Sequence, residues 1–283
     1  MKFTKMHGCG NDYVYVDCIH ENLTSDEMRN LSDTARKVSN RMSGIGSDGL
    51  ILIKPSTVAD FCMEIYNADG TMAEMCGNGI RCVGKYVYDY GLTNQTQLRI
   101  ETKSGIKDLT LSLKNGLVNT VRVDMGSPVF RPDRIPTAYI GELNRLFDYP
   151  IQTDLGTILI TCVSMGNPHA VIFVEDVTNL QVGLLGRLIE SHPLFPRKTN
   201  VEFVQIIHPN QIKMRVWERG SGETLACGTG ACASVVASVL HEYTNHTVTV
   251  SLPGGELTIE YDTANGTVYM TGPAVTVFDG VTV

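Results

Sequence analysis

No stretch of this chain approaches the ~18 consecutive apolar residues of a membrane span. Its opening, Met1-Lys2-Phe3-Thr4-Lys5-Met6-His7-Gly8, has neither an apolar core nor a cleavage site. A cytoplasmic protein is expected. Lys and Arg are scattered and the net charge is −7, so there is no basic stripe to hold nucleic acid or an anionic membrane. The eight cysteines (9, 18, 62, 76, 82, 162, 227 and 232) include no Cys-x-x-Cys pair, which argues against a zinc knuckle and a secreted disulfide framework. Thiols, and no metal site, are expected. Low-complexity tracts are also missing: hydrophobic residues make up 43% of the chain and charged ones 19%, enough for real cores. Its 283 residues suit two domains of about 120–150 each.

What the chain does contain is a repeat. Phe61 to Thr96 recurs 151 residues later (227 − 76), and no gap is needed to bring Cys76 onto Cys227 and Thr93-Asn94 onto Thr244-Asn245. In that register Met63-Glu64-Ile65-Tyr66-Asn67 lies over Met214-Arg215-Val216-Trp217-Glu218, and Cys76-Gly77-Asn78-Gly79 over Cys227-Gly228-Thr229-Gly230. The two cysteines therefore hold one structural position in two homologous units. Each precedes a helical period, Ile80, Val83 and Val87 in the first half and Cys232, Val235, Val236, Val239 and Leu240 in the second. A thiol at a helix start, beside the amides of a Gly-x-Gly turn, is expected to shift towards thiolate, and the turn itself makes an anion nest.

The rest reads in order. A strand at Val14–Asp17 follows the turn Gly10-Asn11-Asp12, and residues 26 to 42 carry a helical pattern with Met28, Leu31, Ala35 and Val38 on one face. Strands are expected at Leu50–Ile53 and Phe61–Tyr66, then a helix stopped by Gly91, then strands around Leu98–Thr102, Ile106–Leu113 and Val118–Met125. Prolines at 128, 132, 136 and 150 mark the crossing to the second half. That half replays the first: Met165-Gly166-Asn167-Pro168-His169 and its strand, a helix around Leu184–Ser191, Thr199-Asn200-Val201-Glu202, a strand Ile212–Trp217, the cysteine helix, and a hairpin of Val248–Leu252 with Leu257–Tyr261. The expected fold is α+β. Two homologous, pseudo-twofold-related domains, 1–125 with 274–283 and 126–273, would each be a mainly antiparallel sheet or barrel around a central helix. The active site would lie in the cleft between them.

Two thiols on opposite sides of one ligand suit inversion at a carbon, one removing a proton and the other returning one. The carbanion needs stabilisation, and no lysine and phosphate cradle for pyridoxal phosphate is visible. Fixed dipoles at two Gly-x-Gly helix starts would supply it.

The segments His7-Gly8-x-Gly10-Asn11-Asp12, Gly44-Ile45-Gly46-x-Asp48, Asn67-Ala68-Asp69-Gly70, Cys76-Gly77-Asn78-Gly79-x-Arg81-Cys82, Met165-Gly166-Asn167-Pro168-His169, Glu218-Arg219-Gly220-x-Gly222-Glu223-Thr224 and Ala226-Cys227-Gly228-Thr229-Gly230 together resemble diaminopimelate epimerases, collinearly from residue 3 to about 280. The resemblance implies a cofactor-independent isomerase interconverting LL- and meso-2,6-diaminopimelate for lysine and peptidoglycan synthesis. Its partners would be that small molecule and a second copy in a homodimer. It implies Cys76 and Cys227 as base and acid. It gives Asn11, Asn67, Asn167, Asn200, Glu218 and Arg219 to the substrate, and the amides of Gly77, Asn78, Gly228 and Thr229 to the reacting carboxylate. His169 matches a histidine that helps manage the cysteine protons, while its place after Pro168 and before a strand equally suits a satisfied structural histidine. Arg219 can fork onto a distal carboxylate, and Glu218 can take an ammonium. One position departs: where some members carry glutamine after the Gly-x-Gly-x-Asp turn, this chain has Gly49.

Other readings predict different residues or behaviour. Proline or hydroxyproline racemases favour a histidine where Asn78 stands, and lack the Glu218-Arg219 pair. A redox protein using the two cysteines would act in the oxidised state, and a binding module would hold an amino acid without exchanging its α-proton.

Overall fold

The computed structural model describes residues 1–20 and 29–282. Two compact units form, Met1–Val123 with Thr271–Val283, and Asp124–Met270. In the first, β1 (Lys2–Gly8) pairs antiparallel with β2 (Asn11–Asp17) and with β18 (Val275–Val281). A crossover through α1 (Leu31–Ser39) lays β3 (Gly49–Lys54) parallel to β2, as a helical connection of that length permits. Next, β4 (Phe61–Asn67) turns back on β3 and pairs with the short β5 (Met72–Ala73). After α2 (Gly77–Asp89), β6 (Gln97–Thr102) returns parallel to β4, and β7 (Gly105–Lys114) and β8 (Leu117–Gly126) continue as a meander.

The second unit repeats this plan. β9 (Tyr149–Thr153) and β10 (Gly156–Ser164) form a hairpin, and β10 pairs with β11 (Pro168–Phe173). α3 (Val182–Glu190) crosses to β12 (Asn200–His208), parallel to β11. β13 (Gln211–Glu218), β14 (Gly222–Thr224), α4 (Gly228–Leu240), β15 (Thr247–Leu252), β16 (Gly255–Asp262) and β17 (Thr267–Pro273) follow. Here too the strand after the cysteine helix, β15, lies parallel to β13. The fold is α+β with mainly antiparallel pairing.

Burial explains which segments became which element. β3 reads Gly-Leu-Ile-Leu-Ile and is buried on both faces, as a strand with a parallel neighbour and a helix above it must be. In β2 and β3, Val14, Val16, Leu50 and Leu52 turn one way onto Ala35 and Val38 of α1. The second core gathers Ile172, Val182, Ile189, Val201 and Phe203. α4 is apolar all round, and Ala231, Cys232, Val235 and Val236 are fully buried, which marks a core helix rather than a surface one. Each valine there contributes roughly 1.5–3 kcal/mol.

Several expectations change. Of the helix expected over 26–42, residues 26–28, Met28 among them, lie outside the described residues, and the later part is the helix Leu31–Ser39, because Asn30 accepts from the Asp33 amide at its start and Asn40 turns to extended backbone at its end. Lys2–Gly8 and the Tyr149–Ser164 hairpin were not foreseen as strands. The proline-bearing stretch is no bare crossing: Ile135 and Leu146 are fully buried in the second core. No helix among the described residues is long and apolar enough to cross a membrane.

Candidate active site

Both cysteines are helix N-caps. Cys76 caps α2 from extended backbone, and its sulfur accepts the Gly79 amide at 3.3 Å. Cys227 caps α4 in the same way, accepting the Gly230 amide at 3.4 Å. The second glycine of each turn is a requirement of space. A Cβ on Gly79 would stand 3.5 Å from the Cys76 sulfur and 2.7 Å from Ile51 Cδ1, and one on Gly230 would stand 3.3 Å from the Cys227 sulfur and 2.7 Å from Glu202 Oε1. The amides of Gly77 and Asn78, and of Gly228 and Thr229, occupy first-turn positions that have no partner within a helix. They are the donors an anion would use.

Around Cys76 the structure brings together Asn11, Tyr13 and Asn78. The thiol donates to Asn11 Oδ1 at 3.3 Å, Asn78 Nδ2 reaches the same oxygen at 3.4 Å, and Asn11 Nδ2 donates to Asp48 Oδ2 at 2.7 Å. The Tyr13 hydroxyl bonds to the same sulfur; burial first, and Cys76 second, hold that hydroxyl well above its ordinary pKa. Asn78 is fixed by the fully buried Arg81, which donates to Asn78 Oδ1 and to the Gly77 carbonyl, both at 3.0 Å. Asn67, at the end of β4, bonds to Thr71 Oγ1 at 3.0 Å rather than into this cluster.

Around Cys227 the groups are different. Asn167 Nδ2 donates to Thr229 Oγ1 at 3.2 Å, and that hydroxyl stands 3.5 Å from the Cys227 sulfur. His169 Nε2 lies 3.0 Å from Asn167 Oδ1, and its Nδ1 lies 2.7 Å from Glu202 Oε1. Glu218 takes the Thr224 hydroxyl on Oε1 and bonds to Cys227. Asn200 bonds to backbone on both sides: Nδ2 donates to the Pro168 carbonyl at 3.1 Å and Oδ1 accepts the Arg219 amide at 2.8 Å. The exposed Arg219 guanidinium reaches the Arg197 carbonyl at 3.3 Å. Glu190 steadies the same loop, accepting from Trp217 Nε1 at 2.9 Å and the Gly220 amide at 3.0 Å.

The electrostatics of Cys227 overturn one expectation. Its thiol is held well above the ordinary value, first by burial, then by Glu218 and Glu202, against the opposing pull of the Thr229 hydroxyl and the Gly230 amide. Dehydration beside two carboxylates outweighs a helix start. Burial also raises Glu218, and Glu202 adds to that rise. Glu202, Tyr13, Arg81 and Glu190 were not named as site residues from sequence. A charged residue inside the apolar run Val201-Glu202-Phe203-Val204 was the available signal for Glu202; a satisfied arginine inside a helix gives none. At Gly49 a Cβ would lie 2.2 Å from the Tyr66 carbonyl oxygen, so no side chain fits there in this backbone.

Two α+β units, each opening its central helix with a cysteine whose sulfur accepts a Gly-x-Gly amide, define a class whose fold is that of racemases and related isomerases. A phenazine biosynthesis protein of the PhzF family from Bacillus anthracis aligns with a TM-score of 0.70 at 16% identity, covering 100% of this chain and 99% of its own. A hydroxyproline epimerase from Agrobacterium vitis gives 0.69 at 16%, covering 99% and 90%. The sequence narrows the class. The diaminopimelate epimerase family profile matches residues 3–131 and 161–277. Proteins named diaminopimelate epimerase from Acetivibrio thermocellus and Agathobacter rectalis are 54% and 55% identical, each over 99% of this chain and 98% of the relative. One from Methanococcus maripaludis is 53% identical over 99% of both. This chain belongs to the diaminopimelate epimerase family and is an epimerase.

Proposed function

We propose that the chain interconverts LL- and meso-2,6-diaminopimelate by exchange of one α-proton between two thiols. The observation that carries this reading is the duplicated cysteine cap. Each sulfur sits at the mouth of a helix whose first-turn amides can receive the reacting carboxylate, which is where negative charge grows as the α-carbon is deprotonated. One cysteine, as thiolate, takes the proton from one face; the other, as thiol, supplies a proton to the opposite face, and the roles exchange in reverse. The mechanism requires Cys76 and Cys227 to serve the same carbon and calls on no cofactor. Asn11, Asn78, Asn167 and Thr229 bond to the sulfurs or to their immediate partners. The distal end of the substrate goes to Arg219 for its carboxylate and to Glu218 and the asparagine carbonyls for its ammonium. Supplying lysine and peptidoglycan precursors follows from that reaction.

The test is conversion of LL-2,6-diaminopimelate in deuterium oxide by the reduced protein. The reading expects meso product carrying deuterium at the inverted carbon. Meso product that retains protium there would refute α-proton exchange with solvent, and no conversion at all would refute the substrate.

A further inference from the structure

The two units do not surround their cysteines alike. Tyr13 pairs with Gly49 across β2 and β3, and His169 pairs with Asn200 across β11 and β12. Two residues further along the second strand stand Ile51 in one unit and Glu202 in the other. Both point beneath the cysteine turn, since the absent Cβ of Gly79 and of Gly230 would lie 2.7 Å from Ile51 Cδ1 and from Glu202 Oε1 respectively. An isoleucine methyl underlies one sulfur turn and a carboxylate oxygen underlies the other.

Glu202 is expensive where it is. It is fully buried, Oε1 bonds His169 Nδ1, and Oε2 has no hydrogen-bond partner among the described residues. A buried carboxylate with an orphaned oxygen lowers stability, and the sibling unit builds the same strand with isoleucine. Its neighbours Val201 and Phe203 point the other way into the core beside Val182 and Ile189, as strand alternation requires. The carboxylate thus serves the cysteine side alone.

We propose that Glu202 is a positioning residue that keeps the proton on Cys227 in the resting enzyme, so that this cysteine enters one direction of the reaction as the donor. The inference rests on the epimerase reading above. Inversion by two chemically identical thiols needs one loaded with a proton and one without, and a carboxylate beneath the Cys227 turn, where the Cys76 turn has Ile51, breaks the tie. Glu218 adds a second charge from β13, but it occupies the position Asn67 holds in the other unit and is the group assigned to the substrate ammonium, so its charge is answered when substrate binds. Glu202, by contrast, is fully buried and held by His169. Among the described residues, the titratable groups acting on the Cys227 thiol are Glu218 from β13 and Glu202 from β12, and His169 from β11 bonds Glu202. The first turn of α4 carries no acidic side chain, and its last turn no basic one. On the far side of β12, α3 holds Arg187 over the Trp217 ring and Glu190 on Trp217 Nε1. His169 grips the carboxylate through Nδ1 and turns Nε2 to Asn167, so it fixes Glu202 in place.

The experiment titrates the ultraviolet thiolate absorbance that disappears on Cys227→Ala, in the wild type, in Glu202→Gln and in Glu202→Leu. Glutamine keeps the shape and a bond to Nδ1 while removing the charge; leucine removes both. Removing a buried unit charge at this range, in an effective dielectric of about 20, is expected to move the Cys227 midpoint down by about one pH unit or more. The Cys76 titration should not move, and neither variant should melt below the wild type. A Cys227 midpoint that stays or rises in both variants overturns the proposal, as does an equal shift at Cys76, which would signal general loosening. The titration uses no substrate. Failure of the epimerase reading would instead appear as a wild type that leaves LL-diaminopimelate unchanged.

Discussion

Arg81 offers the sharpest stability prediction. It is fully buried and gives hydrogen bonds to the Pro273 carbonyl at 3.1 Å, and to the Gly77 carbonyl and Asn78 Oδ1 at 3.0 Å. It thereby ties the start of α2 to the end of β17 and orients the asparagine beside Cys76. In Arg81→Leu three acceptors, two of them buried and that of Pro273 part-buried, lose a charged donor, each bond being worth about 1.5–3 kcal/mol. Part of that gross loss, roughly 4.5–9 kcal/mol, is returned because a guanidinium no longer has to be dehydrated. The net destabilisation should be about 3–5 kcal/mol, or roughly 10–20 °C in Tm for a unit of this size. Scanning calorimetry reads the shift directly. Arg81→Lys should recover less than half of it, because a point charge cannot address three acceptors in a fixed fork. Well below the melting temperature, kcat for Arg81→Leu should still fall, since Asn78 loses its anchor. A Tm within about 3 °C of wild type, less than about 1 kcal/mol, would refute the argument that Arg81 organises the helix start.

Three further outcomes are expected. In Gly230→Ala the new methyl meets Glu202 Oε1 at 2.7 Å and crowds the Cys227 sulfur at 3.3 Å; a loss of about 1–3 kcal/mol in urea unfolding is expected, with a larger fall in kcat than in stability, and unchanged turnover would contradict it. Thr229→Val removes the hydroxyl 3.5 Å from the same sulfur and leaves Asn167 Nδ2 without its acceptor; kcat should drop about tenfold or more with KM changed less, and a reversed split would count against the contact. Stability should decline in alkali. Burial pushes the thiols of Cys82 and Cys162 up to about 11 and about 12, and holds Cys227, Tyr13 and Tyr15 up as well. Above pH ~9 the unfolded chain sheds these protons while the folded one keeps them, so stability falls with pH by on the order of 1 kcal/mol per group per pH unit. A Tm that stays flat between pH 9 and the folded values would contradict this.

The repeat was the legible part of the fold. It survives at the level of single contacts, because the cap, the Gly-x-Gly turn and the strand before it each depend on backbone geometry that few residue types satisfy. Cys76 and Cys227, with their amides, could therefore be found from spacing. What spacing could not show was the difference between the two halves. Glu202 stands out in sequence only as a charge inside an apolar run, and only burial and the distance to Gly230 distinguish a carboxylate placed under a thiol from a solvated charge. The same blindness led to the thiolate expectation for Cys227: a helix start is visible in sequence, but the dehydration that outweighs it is not. For Asn200, assigned to substrate by resemblance, the sequence did not show that its amide also bonds to backbone on both sides. The strands Lys2–Gly8 and Tyr149–Thr153 were missed because their partners, residues 275–281 and 156–164, lend them order that short local patterns do not carry.

The central claim is that both thiols act on one α-carbon. It is tested most directly by following the α-hydrogen of LL-2,6-diaminopimelate by proton NMR in deuterium oxide with Cys76→Ala and Cys227→Ala. Neither variant should form meso product, and wild type should lose the α-proton as meso appears. Sustained epimerisation by either single variant would contradict it.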